Sequence, residues 1–357
     1  MIIKDRAKKM FSAALGIYMA FAATSPVYAF YQTPSNKKGL AVSGIAVDEC
    51  RDLGVTQIIW NNPINHFYEN LYQANKDAGI TNTVIMLNPW QTENPALLPV
   101  SKPAGGAVFY GFNVSGDEAK AALKAVAQRF AHQYKDLVSN WIIGNEINNG
   151  RTWNYLPTTD INAYTQQYCE GFRIWYDAIK AENPDARVFI PFDHRWKWYS
   201  DQGAGIYQAK DMMPIINSYL KDTDYGIAWH AYPQGLVDPD FRDDPDVKDT
   251  PDSPIINMKN LHVLTDFFKQ EEYLSPEKKV RHIILSEQGF NATSEVLQAE
   301  VISEAYKRAK ENPYIEGFYL SRQNDVGEMF QGKAMKFGLK DASGRKRAAY
   351  DVYKNLD

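Results

Sequence analysis

The amino-acid sequence predicts a (β/α)8 TIM barrel, and three observations support this fold class. Short apolar runs alternate with amphipathic stretches along the chain, and eight such pairs can be counted. The runs are rich in Ile, Val, Phe and Trp and carry few charges, as is typical of parallel strands buried on both faces. A chain of 357 residues is also long enough for eight strand–helix units. A doubly wound open sheet is the alternative, but no glycine-rich nucleotide loop follows any of the runs.

Each of the eight units begins with a predicted strand. In chain order the strands are expected at residues 40–43, 56–61, 83–88, 138–146, 186–191, 226–230, 282–287 and 317–321. The helices are expected at residues 46–53, 67–78, 115–134, 160–181, 211–221, 258–272, 294–311 and 346–354. Gly54 and Gly79 are expected to end the first two helices, since glycine favours that position. Ser115 is the expected N-cap of the third helix, with Glu118 as its capping-box partner.

The first 29 residues are typical of a secretory signal peptide. Basic residues lie among the first nine positions, residues 10–22 are mostly apolar, and small residues lead up to Ala29. The apolar run is too short for a membrane span, which needs about 20 residues. We therefore expect cleavage after Ala29 and export of a single catalytic domain formed by residues 30–357. An uncleaved N-terminal anchor is the alternative.

The composition excludes several classes of protein. Hydrophobic residues make up 45% of the chain and charged residues 23%, which argues against disorder. A formal net charge of −4 argues against a nucleic-acid-binding surface, which needs clustered Lys and Arg. Cys50 and Cys169 lie in predicted helices that are far apart in the chain, so both are expected to be free, buried thiols. The aromatic share of 13% suits a large core, but it also suits ligands with flat apolar faces such as sugar rings.

In a (β/α)8 barrel the catalytic residues lie at the C-terminal ends of the strands. The polar side chains expected at or just after those ends are Asn61, Asn88, Asn145, Glu146, Asp193, His230, Tyr232, Glu287, Arg322 and Gln323. Two of them, Glu146 and Glu287, are carboxylates at the ends of the fourth and seventh strands. Hydrolysis of a glycosidic bond needs such a pair, because one group protonates the leaving oxygen and the other stabilises the positive charge at the reacting carbon.

Other candidate ligand-binding residues follow from position alone. Asn88 and Asp193 are candidates for binding hydroxyl groups of a ligand. Tryptophans lie in the loops after the third to fifth strands, where an indole can either stack on a sugar or pack in the core: Trp90, Trp153, Trp196 and Trp198. The Asp-rich stretch 238–252 lacks the spacing of a calcium loop. Since there is also no His-x-His or His-Glu-x-x-His pair, we expect no metal and no cofactor.

Three motifs resemble glycoside hydrolase clan A, the retaining TIM-barrel glycosidases. Residues 141–146, Trp-Ile-Ile-Gly-Asn-Glu, are similar to the Asn-Glu motif of that clan's fourth strand. Residues 230–232, His-Ala-Tyr, resemble its sixth-strand His-x-Tyr. Residues 284–287, Ile-Leu-Ser-Glu, resemble its seventh-strand nucleophile motif. The longer pattern from Lys37 to Tyr155 resembles a poorly characterised bacterial branch of the clan.

The resemblance implies a secreted β-glycosidase that retains the anomeric configuration. Glu146 would be the acid/base, Glu287 the nucleophile, and Asn145 would bind the 2-hydroxyl of the sugar. The clan usually has an arginine near the end of the second strand, where this chain has Asn61. Either Arg322 or Arg195 supplies that charge instead, or the pKa of the nucleophile is set in a different way. A non-catalytic carbohydrate-binding barrel and a transglycosylase are the alternatives, and in each case the partner is a carbohydrate and the protein a monomer.

Overall fold

Eight parallel strands close into a barrel, because β1 pairs with both β2 and β8. The computed structural model describes residues 29–92, 94–198, 204–330 and 332–356. The strands are β1 (Lys38–Ala41), β2 (Gln57–Pro63), β3 (Thr81–Pro89), β4 (Asn140–Ile143), β5 (Arg187–Phe192), β6 (Gly226–Trp229), β7 (Ile283–Gln288) and β8 (Ile315–Leu320). The predicted (β/α)8 fold is therefore confirmed, with a strand at each of the eight predicted positions.

One helix follows each strand and packs outside the barrel. The helices are α1 (Val47–Leu53), α2 (Glu69–Asp77), α3 (Asp117–Tyr134), α4 (Ile161–Glu182), α5 (Ala209–Leu220), α6 (Leu261–Phe267), α7 (Glu295–Glu311) and α8 (Ala348–Lys354). Gly54 ends α1 in the left-handed conformation, with φ of 66°, as its sequence position predicted. The cysteine prediction is also confirmed, because Cys50 in α1 and Cys169 in α4 are both free and buried.

Two predicted helix boundaries are wrong. The N-cap of α3 is Gly116, not Ser115, because the Ser115 hydroxyl donates to Asn113 Oδ1 at 2.7 Å and turns away from the helix. Helix α6 covers only Leu261–Phe267, and a separate 3-10 turn at Glu271–Tyr273 forms the rest of the predicted segment. Both differences concern the ends of helices. The spacing of hydrophobic residues indicates that a helix is present but does not locate its ends to the residue.

Two apolar layers hold the barrel together. A small cluster fills its interior and contains Ile59, Ile85, Leu87, Ile142, Phe189, Ala228, Ile284 and Tyr319. A larger cluster fills the space between the strands and the helices. Below the interior cluster, the Tyr319 hydroxyl donates to Gln57 Oε1 at 2.7 Å, and it also lies 2.6 Å from the Thr83 hydroxyl. The interior is thus closed by side chains, which leaves the strand ends as the place for a ligand.

Short elements that the sequence pattern did not predict lie around the barrel mouth. Phe109–Tyr110 forms a two-residue strand that pairs antiparallel with the end of β3. Met329–Phe330 pairs antiparallel with Lys333–Ala334 after β8. In the described part of the chain no helix is long and apolar enough to cross a membrane. The predicted signal peptide lies outside the described residues, apart from its last residue.

Candidate active site

Glu146 lies at the mouth of the barrel, just after β4. The strand ends three residues earlier than predicted, and Gly144 then takes a left-handed φ of 82°. A Cβ at that glycine would lie 2.8 Å from Asn154 Oδ1, so the turn requires glycine. Glu146 itself has φ of 37°, a conformation that is uncommon for a non-glycine residue and costs free energy. The strained turn directs the Glu146 side chain back over the barrel, where 13% of it is exposed.

Glu287 lies across the mouth on β7. The pairing between β7 and β8 is irregular from Leu285 to Gln288, so Glu287 stands where the regular alternation of side chains is broken. Its side chain is 27% exposed, about twice the fraction of Glu146. The hydroxyl of Tyr232 donates to Glu287 Oε1 at 2.7 Å. This hydrogen bond orients the carboxyl group of Glu287 at the mouth.

The imidazole of His230, at the end of β6, lies between the two glutamates. Its Nδ1 atom is 2.9 Å from Glu146 Oε1 and 3.6 Å from Glu287 Oε2. These two carboxylate oxygens are therefore no more than about 6.5 Å apart, which is where the range for inverting glycosidases begins. This upper limit for one pair of oxygens is compatible with the shorter separation of retaining enzymes, about 5–5.5 Å. His230 is fully buried, so the contact is shielded from solvent.

The two glutamates differ in their electrostatic surroundings. Burial raises the pKa of Glu146 above its ordinary value, although the hydrogen bond and charge of His230 oppose the shift. Burial alone would lower the pKa of His230, but the negative charges of Glu287 and Glu146 outweigh it and the pKa is raised. Glu146 is buried, which favours its protonated form, whereas Glu287 is more exposed and accepts a hydrogen bond. Two carboxyl groups whose surroundings differ in this way can act as a proton donor and a nucleophile.

Tyr232 remains a phenol in this environment. Burial and the neighbouring charge of Glu287 raise its pKa well above the ordinary value. Its ring also contacts the apolar cluster formed with Met335 and Phe337, from the segment after β8. Tyr232 therefore donates to Glu287 from a fixed position.

A cavity of about 360 Å³ opens beside Glu287. It is lined by Ala41, Val42, Ser43, Ile59, Trp60, Asn61, Ile85, Ser286, Glu287, Ser321, Arg322 and Val326. Ile59 and Ile85 belong to the barrel interior and form its floor. The predicted site residues Asn61 and Arg322 thus lie in one cavity with Glu287. Its volume is at the small end of the range for ligand pockets, about 300–1,000 Å³.

The two arginines that were expected to supply a positive charge near Glu287 pair with other carboxylates. Arg322 donates to Glu328 Oε2 at 2.7 Å, and the Arg195 guanidinium pairs with Asp193. Among the described residues, Arg322 forms no ion pair with Glu287. The basic side chain beside Glu287 is instead His230, one of the candidate site residues at the strand ends.

Asn145 and Asn149 lie on either side of Glu146. Asn145 is almost fully buried, and its Oδ1 atom has no hydrogen-bond partner in the described part of the chain. Asn149 Nδ2 donates to Glu146 Oε2 at 3.4 Å. The sequence analysis missed Asn149, although its position three residues after Glu146, in a tight turn, is a usable signal.

Trp196 is a correction to the candidate site. It is fully buried against Trp229 and Phe267, and its Nε1 donates to the carbonyl of Pro251 at 2.9 Å. A side chain without exposed surface cannot stack on a sugar, so Trp196 is a core residue and not a sugar-binding one. Trp153 is half-buried and lies 6.2 Å from Phe109, ring centre to ring centre, on the β3–β4 side of the mouth.

Two further predicted residues, Asn88 and Gln323, hold backbone or side chains of neighbouring loops. Asn88 Nδ2 donates to the carbonyls of Leu97 and Gly111. Gln323 accepts from the Ser43 amide and donates to Glu49 Oε2. These contacts occupy groups that would otherwise be free for a ligand.

Asp193 is also buried at the mouth. Its Oδ1 accepts from Asn148 Nδ2 at 2.5 Å and from the Arg195 amide at 2.9 Å. The negative charge of Asp193 further raises the pKa of both Glu146 and His230.

Comparison of this chain with known families gives a match to one family model. The model describes a family of unknown function, DUF5722, and it matches residues 62–357. The chain belongs to DUF5722. No curated protein matches the chain in sequence.

Solved structures similar to this DUF5722 chain are glycosidases. A family 39 glycoside hydrolase from the gut symbiont Bacteroides cellulosilyticus WH2 has a TM-score of 0.66 at 17% identity, covering 92% of this chain and 64% of that one. A hyperthermophilic β-glucosidase mutant has a TM-score of 0.58 at 15% identity, covering 87% and 86%. A β-galacturonidase from Eisenbergiella tayi has a TM-score of 0.54 at 14% identity, covering 87% and 46%.

These similarities establish the barrel fold shared with glycosidases. The chain spans less than two thirds of the length of the family 39 enzyme and under half that of the galacturonidase. A fold of this kind supports many unrelated activities, so the function must be argued from the site.

Proposed function

We propose that the protein is a retaining glycoside hydrolase that cleaves β-glycosidic bonds in a polysaccharide or oligosaccharide. The observation that carries the proposal is the contact of one imidazole nitrogen with two glutamates, 2.9 Å from Glu146 and 3.6 Å from Glu287. The distance between the two glutamates is compatible with a mechanism that retains the anomeric configuration. Their different surroundings suit one as the proton donor and the other as the nucleophile. We further propose that the chain is exported after cleavage near Ala29.

In the first step Glu287 Oε2 attacks the anomeric carbon while Glu146 donates its proton to the glycosidic oxygen. The bond between sugar and leaving group breaks, and a covalent glycosyl ester forms on Glu287. Tyr232 holds Oε1 of the same carboxylate through its hydrogen bond, which leaves Oε2 to react. The raised pKa of Glu146 supports this role, because burial favours the protonated form that a proton donor needs.

In the second step Glu146, now ionised, takes a proton from a water molecule. The resulting hydroxide attacks the anomeric carbon, the ester bond breaks, and Glu287 leaves as a carboxylate. Two displacements at the same carbon restore its configuration. We propose that Asn145, which directly precedes Glu146 and is almost fully buried, meets the sugar 2-hydroxyl.

The experiment is a screen of aryl β-glycosides and of plant, algal and host glycans. Proton NMR of the first product should detect the β-anomer, and Glu287→Gln should abolish its formation. Glu277→Gln is the matched control, because Glu277 is exposed and pairs with Lys279 on the surface. A product of inverted configuration would reject the retaining mechanism. Binding of glycans without turnover would indicate a non-catalytic barrel, and transfer to an added sugar acceptor would indicate a transglycosylase.

A further inference from the structure

Two cavities at the barrel mouth share a wall formed by Trp60, near the end of β2. One is the 360 Å³ cavity that contains Glu287. The other, of about 480 Å³, is lined by Gly44, Ile45, Trp60, Phe67, Tyr68, Glu69, Asn70 and Leu71. Both volumes lie within the range of small-molecule pockets, about 300–1,000 Å³. The sequence analysis assigned no role to Trp60 or to this second cavity.

We infer that the second cavity binds a further sugar unit of the substrate, so that the protein releases units of at least two sugars rather than single terminal sugars. This inference rests on the proposed function. The sugar that reacts would occupy the cavity beside Glu287, and the next sugar on the non-reducing side would lie beyond Trp60. Trp60 is then a specificity-determining residue that contacts both units.

The side of the mouth on which the cavities lie supports this direction. The leaving group must lie next to the acid, Glu146, which follows β4. The described residues that line the two cavities come from β1, β2, β3, β7, β8 and the segments after them, and β4 contributes none. The second cavity therefore extends the first on the side away from the acid, which is the non-reducing side of the reacting sugar.

The indole is held in place by a row of aromatic rings. The ring centres of Trp60 and Tyr68 are 5.2 Å apart at 64°, and His66 lies 4.6 Å from Tyr68 on the other side. Contacts of this geometry orient one ring against the next. Trp60 is half-buried, so part of its surface remains available to a ligand.

The chemistry of the lining suits a neutral sugar. Ile45 is 62% exposed and, with Phe67, provides an apolar surface for ring carbons. Asn70 provides hydrogen-bonding groups for hydroxyls. Glu69 is the charged residue in this lining, and its carboxylate would repel an acidic sugar. Mostly apolar walls with a few polar groups are typical of ligand pockets.

The test compares matched aryl β-glycosides that carry one or two neutral sugars: 4-nitrophenyl derivatives of glucose and cellobiose, xylose and xylobiose, and mannose and mannobiose. Nitrophenol release measures kcat/KM, and chromatography establishes whether the disaccharide leaves intact. We expect the wild type to prefer the disaccharide at least tenfold, which corresponds to about 1.4 kcal/mol. Intact disaccharide should be the first product.

Gly44→Phe is designed to fill the second cavity. A Cβ at Gly44 would meet no heavy atom within 4 Å, and its φ lies outside the left-handed region, so the fold should tolerate the change. The ratio of kcat/KM for disaccharide over monosaccharide should fall about tenfold. Gly105→Phe is the matched control, because that glycine is equally open but lies in the loop after β3. Trp60→Ala should lower the same ratio, and Trp60→Phe should restore part of it.

The outcomes separate this inference from the proposed function. A wild type that cleaves the monosaccharide glycosides and prefers them overturns the inference and leaves the glycosidase proposal standing. An unchanged ratio in Gly44→Phe, or an equal fall in Gly105→Phe, also overturns it. A wild type that cleaves none of the aryl glycosides and none of the glycans of the broader screen contradicts the proposed function, and the inference with it.

Discussion

Replacement of Glu146 by alanine should divide the two steps of the proposed reaction. An aryl glycoside with a good leaving group needs little protonation, so its first step should survive in the variant. The second step should slow by about 10²–10⁴-fold, the usual contribution of general acid–base catalysis. The covalent ester on Glu287 should then accumulate, with a burst of nitrophenol release before a slow steady state.

Azide should restore the second step of Glu146→Ala. Removal of the carboxylate opens space beside His230 Nδ1, on the side of the sugar away from Glu287, where a small anion fits. Azide needs no general base, so it should attack the ester directly and form a glycosyl azide of the same configuration as the substrate. The rate should rise with azide concentration, whereas azide should not accelerate Glu287→Ala to a product of that configuration.

The pH profile of the same variant gives an independent reading. The proton donor must be protonated in the first step, so wild-type kcat/KM should fall as pH rises through the raised pKa of Glu146. Because Glu146 and His230 are in direct contact, the pKa observed in the pH profile belongs to the pair and not to Glu146 alone. Glu146→Ala should lose this alkaline limb on a good aryl leaving group. A glycosyl azide of inverted configuration would show that the roles of the two glutamates are exchanged, and wild-type rates would refute the assignment.

Three further outcomes are expected. Tyr232→Phe removes the hydrogen bond to Glu287 and should lower kcat/KM about tenfold to a hundredfold, with little change in melting temperature. This loss corresponds to roughly 1.5–3 kcal/mol, the usual contribution of a hydrogen bond to a charged group. An unchanged kcat/KM would contradict a role for this hydrogen bond in the reaction. Trp196→Ala should lower the free energy of unfolding by about 3–5 kcal/mol, because the indole is fully buried, while Trp153→Ala should mainly raise KM; denaturant unfolding and kinetics distinguish the two. Mass spectrometry of exported protein should find an N-terminus at or near Phe30, and a chain still beginning at residue 1 would refute cleavage.

The positions of the eight strands could be predicted because each strand is marked by its own local run of apolar residues. Buried parallel strands are continuous apolar runs, and each of the eight runs is a strand in the structure. Glu146 and Glu287 stood out because a carboxylate directly after such a run needs a reason. Their placement on opposite sides of the mouth then follows from the closed barrel.

Features that depend on contacts between distant segments could not be predicted. Trp196 follows β5 in a position suited to ligand binding, but the loop after β6 folds back and accepts its Nε1 hydrogen through Pro251. The Gln323 amide is similarly occupied by Glu49, which is 274 residues away in the sequence. Periodicity carries no information on such partners, so position after a strand cannot distinguish a ligand-binding side chain from one that joins two loops.

The charge of Glu287 explains how Glu146 can serve as an acid and then as a base in the proposed mechanism. The negative charge of Glu287 contributes to the raised pKa of both Glu146 and His230. Formation of the glycosyl ester removes that charge, because an ester is neutral. The pKa of Glu146 must then fall, since burial continues to act on it but the repulsion from Glu287 has gone. In the proposed mechanism this loss of repulsion favours release of the Glu146 proton at the step where a base is needed.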